Sequence, residues 1–324
     1  MASVRLERAG LDDLPSIAIL LRDFPYKTFQ QKAQGLNAET LLTFFVEGMK
    51  NTLADSSMAT WVIKKDNDIL GMASLGPNAW HSRSYSCNIA RCNSFLSYKS
   101  PAISTPILCG AILDEARARG FDMVSVRIDG NEFENLHLLE SAGFRLIDVS
   151  VKMSSEIKST ARSAPAGIRI RPYQESDREH VVRISGDAHT FNHFFNDERL
   201  DREATRALFR AWVERCIDSL AKHVFVAEDE TQGVVGFVTY LVNERLNREL
   251  GVRVVVLDYI VLDSSFQGRG LGPVLMEHSL QSLAKEYDQV ELRTSHSNYP
   301  ALALYNRYGM RIVSTDFQLH VWTG

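Results

Sequence analysis

Cysteine is scarce in this 324-residue chain, with four residues at Cys87, Cys92, Cys109 and Cys216. Their spacing fits neither a disulfide framework nor a metal-binding pattern. The thiols are therefore expected to be reduced and packed as small apolar groups, as in a cytosolic protein. Long apolar runs are missing too: no stretch approaches the ~18 residues of a transmembrane helix. The N-terminal MASVRLERAGLDDLP carries charges where a secretory signal needs an apolar core. Nor does one sign of charge dominate, because 36 Lys and Arg against 40 Asp and Glu leave a net charge of −4. A nucleic-acid binder normally carries a basic face, so neither nucleic acid nor a membrane is an expected partner, and a cytoplasmic location is expected. What remains, 45% hydrophobic and 23% charged residues, is ordinary for a globular chain. The length suits two domains of roughly 150 residues each.

The clearest compositional break is MSSEIKSTARSAPAG at 153–167, rich in Ser, Ala and Lys and poor in large apolar residues. It reads as a linker. The expected division is a first domain over 1–153, a linker over 154–166 and a second domain over 167–324. The two halves resemble each other. At a constant offset of 166, Asp122 falls on Asp288, Val124 on Val290, Arg127 on Arg293, Leu138 on Leu304, Gly143 on Gly309 and Arg145 on Arg311. Upstream, TWVIKKDNDILGMASLG and HVFVAEDETQGVVGFVTYL both read as hairpins with a polar turn. Two matches in the same order point to a duplicated fold.

In the second half the spacing predicts a short strand at 168–171, a helix opening near Ser176 and a helix over 202–221. Hairpin strands follow at 223–228 and 233–242, then a nearly continuous apolar strand at 252–262, as in a strand buried on both faces. A helix over 273–287, a strand at 289–294, a helix at 300–308 and a strand at 311–320 complete the pattern. The fold class is α/β (α+β), with two tandem domains of one kind, each a mixed, largely antiparallel sheet flanked by helices.

The most informative segment is DSSFQGRGLG at 263–272, between that apolar strand and a helix. Gly268, Gly270 and Gly272 permit positive φ and close approach of a ligand. Their amides lie at a helix N-terminus, where unpaired N–H groups and the macrodipole favour an anion. Arg269 adds positive charge, and Pro273 in the first turn removes no needed donor. A pyrophosphate is the natural occupant; a tight strand-to-helix turn is the alternative reading.

The pattern Gln267-x-x-Gly270-x-Gly272, with Asn298-x-x-Ala-x-x-x-Tyr305-x-x-x-Gly309 further on, resembles the GNAT acetyltransferase superfamily over most of 223–317. Met310 stands where that family usually has Phe. The resemblance implies acetyl-CoA as co-substrate, with no metal. It implies a pantetheine arm lying as an added strand against Ile260, Val261 and Leu262, by main-chain pairing that asks only for apolar side chains. It further implies a pyrophosphate on Gln267, Gly268, Arg269, Gly270, Leu271 and Gly272, and Asn298 reaching the pantetheine. Tyr305 would protonate the departing thiolate, or else simply pack its helix on the sheet. Asp258 would be the general base, with a structural acid or a water chain as alternatives. Strand alternation puts Asp258, Ile260 and Leu262 on one face.

The first half lacks these features. At the same offset the loop falls on PAISTP at 101–106, where Pro101 and Pro106 remove two amide donors. Tyr305 falls on Leu139 and Asn298 on Glu132, beside Asn131. The first domain reads as a degenerate copy that supports the second or walls its acceptor pocket, or else binds another ligand. WHSRSY at 80–85, AHTFNHFF at 188–195, FRAW at 209–212 and STDF at 314–317 are similar to segments of dTDP-fucosamine acetyltransferases. His81 and Tyr85 depart from that pattern. This narrower resemblance implies a nucleotide-linked amino-sugar acceptor. His189, His193 and Phe194, with Phe195, would roof it, since aromatic faces suit sugars and a His can act as base near neutral pH. No Glu follows His189 as in H-E-x-x-H, which speaks against zinc. The expected activity is N-acetyl transfer to a small primary amine, by a monomer or homodimer. A protein N-acetyltransferase and a non-catalytic acetyl-CoA sensor are the alternatives.

Overall fold

The computed structural model describes residues 3–26, 37–66, 68–158, 161–188 and 191–324. It divides into two compact units, Met1–Ser150 with Ser314–Gly324, and Val151–Val313.

Unit 1 contains β1 (Val4–Arg8), α1 (Leu14–Asp23), α2 (Ala38–Ala54), β2 (Ala59–Lys65), β3 (Asp68–Pro77), α3 (Ala79–Tyr85), β4 (Ile89–Ser97), α4 (Pro101–Ala118), β5 (Met123–Asp129), α5 (Phe133–Ser141) and the start of β6 (Arg145–Glu156). Neighbouring strands run antiparallel from β1 to β4, whereas β4 and β5 are parallel. β2 shows why the sheet is buried on both faces. Its Trp61 and Ile63 join a core with Leu108 and Ile112 of α4. Val62 between them joins another with Ile17 and Leu20 of α1 and Met49 of α2.

Unit 2 repeats the order with β7 (Ile168–Pro172), α6 (Arg178–Ala188), α7 (His193–Asn196), α8 (Arg202–Arg215), β8 (His223–Asp229), β9 (Gly233–Leu241), α9 (Glu244–Leu250), β10 (Val254–Leu262), α10 (Leu271–Leu283), β11 (Gln289–Ser295) and α11 (Tyr299–Tyr308). β7, β8, β9 and β10 are antiparallel neighbours, and β10 lies parallel to β11. Valines 235, 238 and 255 face α10 and α11, while Val226, Phe237, Tyr259 and Val261 face α6 and α8. A π-helical turn at Cys216–Leu220 ends the helix expected to run unbroken to 221, and α9 went unforeseen.

The division differs from the boundaries expected at 153 and 167. β6 continues through Glu156, with Val149 packed on the core of unit 1 and Val151 and Met153 in that of unit 2. Their alternation with polar residues was averaged away in a composition window. The last strand, β12 (Arg311–Trp322), pairs antiparallel with β5, and its Phe317, Leu319 and Val321 lie in the unit 1 core.

Irregularities in the strands repeat along with the strands themselves. The β2–β3 register skips Leu70 and the β8–β9 register skips Val235. The β3–β4 register skips Asn93 and the β9–β10 register skips Asp258. Each pair of bulges is 165 residues apart, one fewer than the offset downstream. Bulges are specific local geometries rather than accidents of sequence, so both halves are versions of one fold.

Candidate functional site

The parallel pairing of β10 with β11 spans Val254 to Leu257 and Gln289 to Leu292. Beyond it β10 continues to Leu262, hydrogen-bonded to β9 alone. The main chain of Ile260, Val261 and Leu262 therefore presents one edge to the widening seam. A cavity of about 590 Å³ opens there, lined by these three residues and by the loop and helix ends around it.

The loop is closed from within. Gln267 Nε2 donates to Leu262 O at 3.1 Å, and Asp263 accepts from Ser265 N at 3.1 Å. Gly268 and Gly270 have φ of 73° and 79°, the left-handed region that glycine enters without strain. Gly270 is the N-cap of α10, and no atom lies within 4 Å of where a Cβ would stand on Gly268 or Gly270. The result is an open concavity of main-chain amides at the positive end of a 13-residue helix. Gln267, Gly268, Gly270, Leu271 and Gly272 line the cavity. Arg269 instead lies over the Phe266 ring, 5.2 Å from its centroid.

Asn298 lines the cavity as well, but both ends of its amide are engaged. Its Oδ1 accepts from Ala301 N at 3.3 Å as the N-cap of α11, and its Nδ2 donates to Thr294 Oγ1 at 3.1 Å. Tyr305 is buried in the core between α10, α11 and the sheet, behind the lining residues Leu304 and Arg307. It is near enough to Tyr240 to raise that phenol's pKa, and burial raises its own.

Asp258 is the bulge residue and the first beyond the last β10–β11 pair. The bulge corrects the expected alternation. Asp258 turns with Tyr259 toward α8, whereas Ile260 and Leu262 pack toward α10 and α11. Trp212 Nε1, Cys216 Sγ and Thr239 Oγ1 all donate to Asp258 Oδ2, at 2.9, 3.6 and 3.3 Å. Among the described residues no donor reaches Oδ1. Desolvation raises the carboxyl's pKa, and the bond from Trp212 opposes that rise.

Of the residues expected to roof the acceptor, His189 lies outside the described residues. His193 begins α7, its ring centroid 3.9 Å from that of Phe194. Phe194 is buried, so it is Phe191 that lines the cavity. Phe195, Phe209, Tyr259 and Phe237 form a row of rings with successive centroids 6.2, 6.2 and 5.6 Å apart. Phe191, Ala303 and Arg307 are lining residues that sequence reasoning missed. Only the one-turn spacing of Ala303 and Arg307 on α11 could have signalled them. No group of three or more His, Cys, Asp or Glu able to hold a metal occurs among the described residues. No helix there is long and apolar enough to cross a membrane.

In unit 1 the corresponding space is filled. Thr105 Oγ1 donates to Asn135 Oδ1 at 2.6 Å and lies 2.8 Å from Ser97 Oγ. Asn135 Nδ2 donates to Ser97 O at 2.7 Å and to Glu132 Oε2 at 2.6 Å. All four residues are buried. Ser97 corresponds to Leu262 at the strand offset of 165, and Thr105, Glu132 and Asn135 correspond to Leu271, Asn298 and Ala301 at 166. Every one of those four counterparts lines the unit 2 cavity.

Residues 187–310 match the model of the acetyltransferase (GNAT) family. A mycothiol acetyltransferase of Saccharomonospora viridis is 29% identical over 215 residues, covering 64% of this chain and 68% of its own. The spore coat polysaccharide biosynthesis protein SpsD of Bacillus subtilis is 21% identical over 204 residues, 63% of this chain and 68% of its own. A solved tandem GNAT protein from the clavulanic acid biosynthesis pathway covers 99% of both chains with a TM-score of 0.60 at 13% identity, a likeness of fold. The second unit thus contains the stretch that matches the GNAT acetyltransferase family, in a chain whose fold is similar to that of a tandem GNAT protein.

Proposed function

We propose that unit 2 is an acetyl-CoA-dependent N-acetyltransferase acting on a primary amine of a small molecule, of the amino-sugar type. The observation that carries this reading is the open seam beyond Leu257 ending on the glycine cradle of α10. A slender arm can add to the free edge of β10 by main-chain pairing, while a pyrophosphate meets unpaired amides at the helix N-terminus. Acetyl-CoA, when bound, supplies an activated acyl thioester. Ile260, Val261 and Leu262 orient it, and Gly268 to Gly272 hold its charged portion.

Two protons then need handling. Tyr305, whose phenol burial keeps protonated at neutral pH, would protonate the departing sulfur by turning from the core toward the cleft. Asp258 stands where the strands part, its Oδ2 pinned by three donors, which leaves Oδ1 to accept the amine's proton. Its raised pKa brings the carboxylate nearer the basicity such a transfer needs. For the acceptor, support comes from Phe191, an exposed ring on the cavity wall, since aromatic faces suit sugars. The polysaccharide-biosynthesis relative points the same way. Unit 1, filled where unit 2 is open, acts as a support that binds no coenzyme.

The test is thiol release from acetyl-CoA across an amine panel of nucleotide-linked amino-sugars, free amino-sugars, polyamines and N-terminal peptides. Turnover with a sugar amine is expected. Turnover only with peptides would refute the acceptor class, and no turnover with any amine would refute the transferase reading.

A further inference from the structure

The concavity of unit 2 continues past the coenzyme cleft. Arg307 lines that cleft and also a second cavity of about 440 Å³, walled by Lys158, Ala161, Arg162, Glu277 and Tyr308. Three cations there face one carboxylate. Arg162 neutralises Glu277 with Nε and Nη2 at 2.9 and 2.6 Å and adds its main-chain N–H at 3.0 Å. Those bonds hold the Glu277 carboxyl below its ordinary pKa. Lys158 Nζ donates to Tyr308 O and lies 4.9 Å from that ring's centroid, so its charge sits at the C-terminus of α11. Arg307 is exposed, and no carboxylate among the described residues pairs with it. The wall therefore keeps two positive charges unneutralised, one of them uncommitted. A phosphate monoester, which carries about −1.5 to −2 near neutral pH, matches that balance.

Direction favours a particular phosphate. With the pyrophosphate on the α10 N-terminus and the acyl arm in the seam, the cleft wall along α11 offers the nucleotide end a route to the second cavity. Ala303, Leu304 and Arg307 line that route. We infer that the second cavity receives the 3′-phosphate of coenzyme A, with Arg307 and Lys158 as its cationic partners. The inference rests on the coenzyme reading of the cleft proposed above.

Coenzyme A and dephospho-coenzyme A differ only in that phosphate, so calorimetry with both separates the two assignments. The full-length wild type is expected to prefer coenzyme A by about tenfold, as for one charge-assisted contact at an exposed site. Arg307→Ala is expected to lose that preference while its affinity for dephospho-coenzyme A is unchanged, and Arg307→Lys to restore most of it. Equal binding of the two ligands by the wild type would overturn the inference, as would equal weakening of both by Arg307→Ala. Binding of neither by the wild type would instead remove the coenzyme reading of the cleft, and this inference with it.

Discussion

Gly270 offers the most direct probe of the cleft, because three substitutions there separate backbone strain from charge. Its φ of 79° would strain any side-chain-bearing residue, by about 1–2 kcal/mol. No neighbour lies within 4 Å of the added Cβ, so clash contributes nothing. Gly270→Ala, Gly270→Gln and Gly270→Glu should therefore lose similar stability in denaturant unfolding. They should differ in binding. A carboxylate about 4 Å from one phosphate charge costs about 1 kcal/mol in water and about 4 kcal/mol at the effective dielectric of a protein surface.

The loop is exposed, which favours the lower part of that range, and an affinity loss of roughly 10- to 100-fold is expected for Glu relative to Gln. Calorimetric titration with acetyl-CoA at low salt is the assay, and raising the salt should narrow the gap. Equal affinities for the Glu and Gln variants would show that no anion sits on the α10 N-terminus. The Ala variant guards against error in the other direction, since a loss as large as that of Glu would assign the effect to strain.

Other expectations follow from the same geometry. Tyr305→Phe should lower kcat by about 100-fold or more with acetyl-CoA affinity nearly unchanged; an undiminished kcat would take the phenol out of the chemistry. Because burial raises the pKa of Asp258, wild-type kcat/KM should climb as pH rises through that raised value, and Asp258→Asn should lack this limb. A variant that keeps the limb would point to another base. Calorimetry should count one acetyl-CoA per chain, and two would mean that unit 1 is open. Burial pushes Glu132 up to about 7 from an ordinary 4.5. The native state thus keeps a proton that the unfolded chain releases, and stability falls as pH rises between those values. The loss is at most about 3 kcal/mol, from 1.36 kcal/mol per pH unit. Glu132→Gln should remove that fall when unfolding is compared at pH 5 and pH 8. His81, lowered to about 4 by burial, acts in the opposite sense between about 4 and 6.5. Its contribution cancels in the difference between variant and wild type.

What could be read from the sequence was chemistry carried by consecutive residues. The glycine loop is such a case: Gly268 and Gly270 take the positive φ that their identity permits, although the helix runs over Leu271–Leu283 rather than 273–287. The duplication was legible for the same reason, as local spacing repeated at a fixed offset. The face of Asp258 was not, because alternation assumes a straight strand and the bulge is visible only in the registers of two strands. The boundary near 153 was obscured because β6 alternates small polar residues with Val151 and Met153, which looks like linker composition. Phe191 reaches the cleft through tertiary placement alone.

The two copies diverge at the places where a cleft is either kept or closed. In unit 2 the seam is bounded by Leu262, Leu271 and Ala301, which make no polar demand on one another and leave the space for a ligand. In unit 1 Ser97, Thr105 and Asn135 stand at those positions, and Glu132 completes a network whose donors and acceptors satisfy each other. The first turn of α4, opened by Pro101, occupies the chain positions of the Gln267–Gly270 segment, so the amide cradle is replaced by helix. Such a network is hard to leave by single steps. Replacing any one member by an apolar residue strands a buried partner at about 1–3 kcal/mol, and reopening the seam requires removing them together. The closure of the unit 1 seam is thus protected by its own hydrogen bonds, whereas the apolar lining of the unit 2 seam imposes no such barrier.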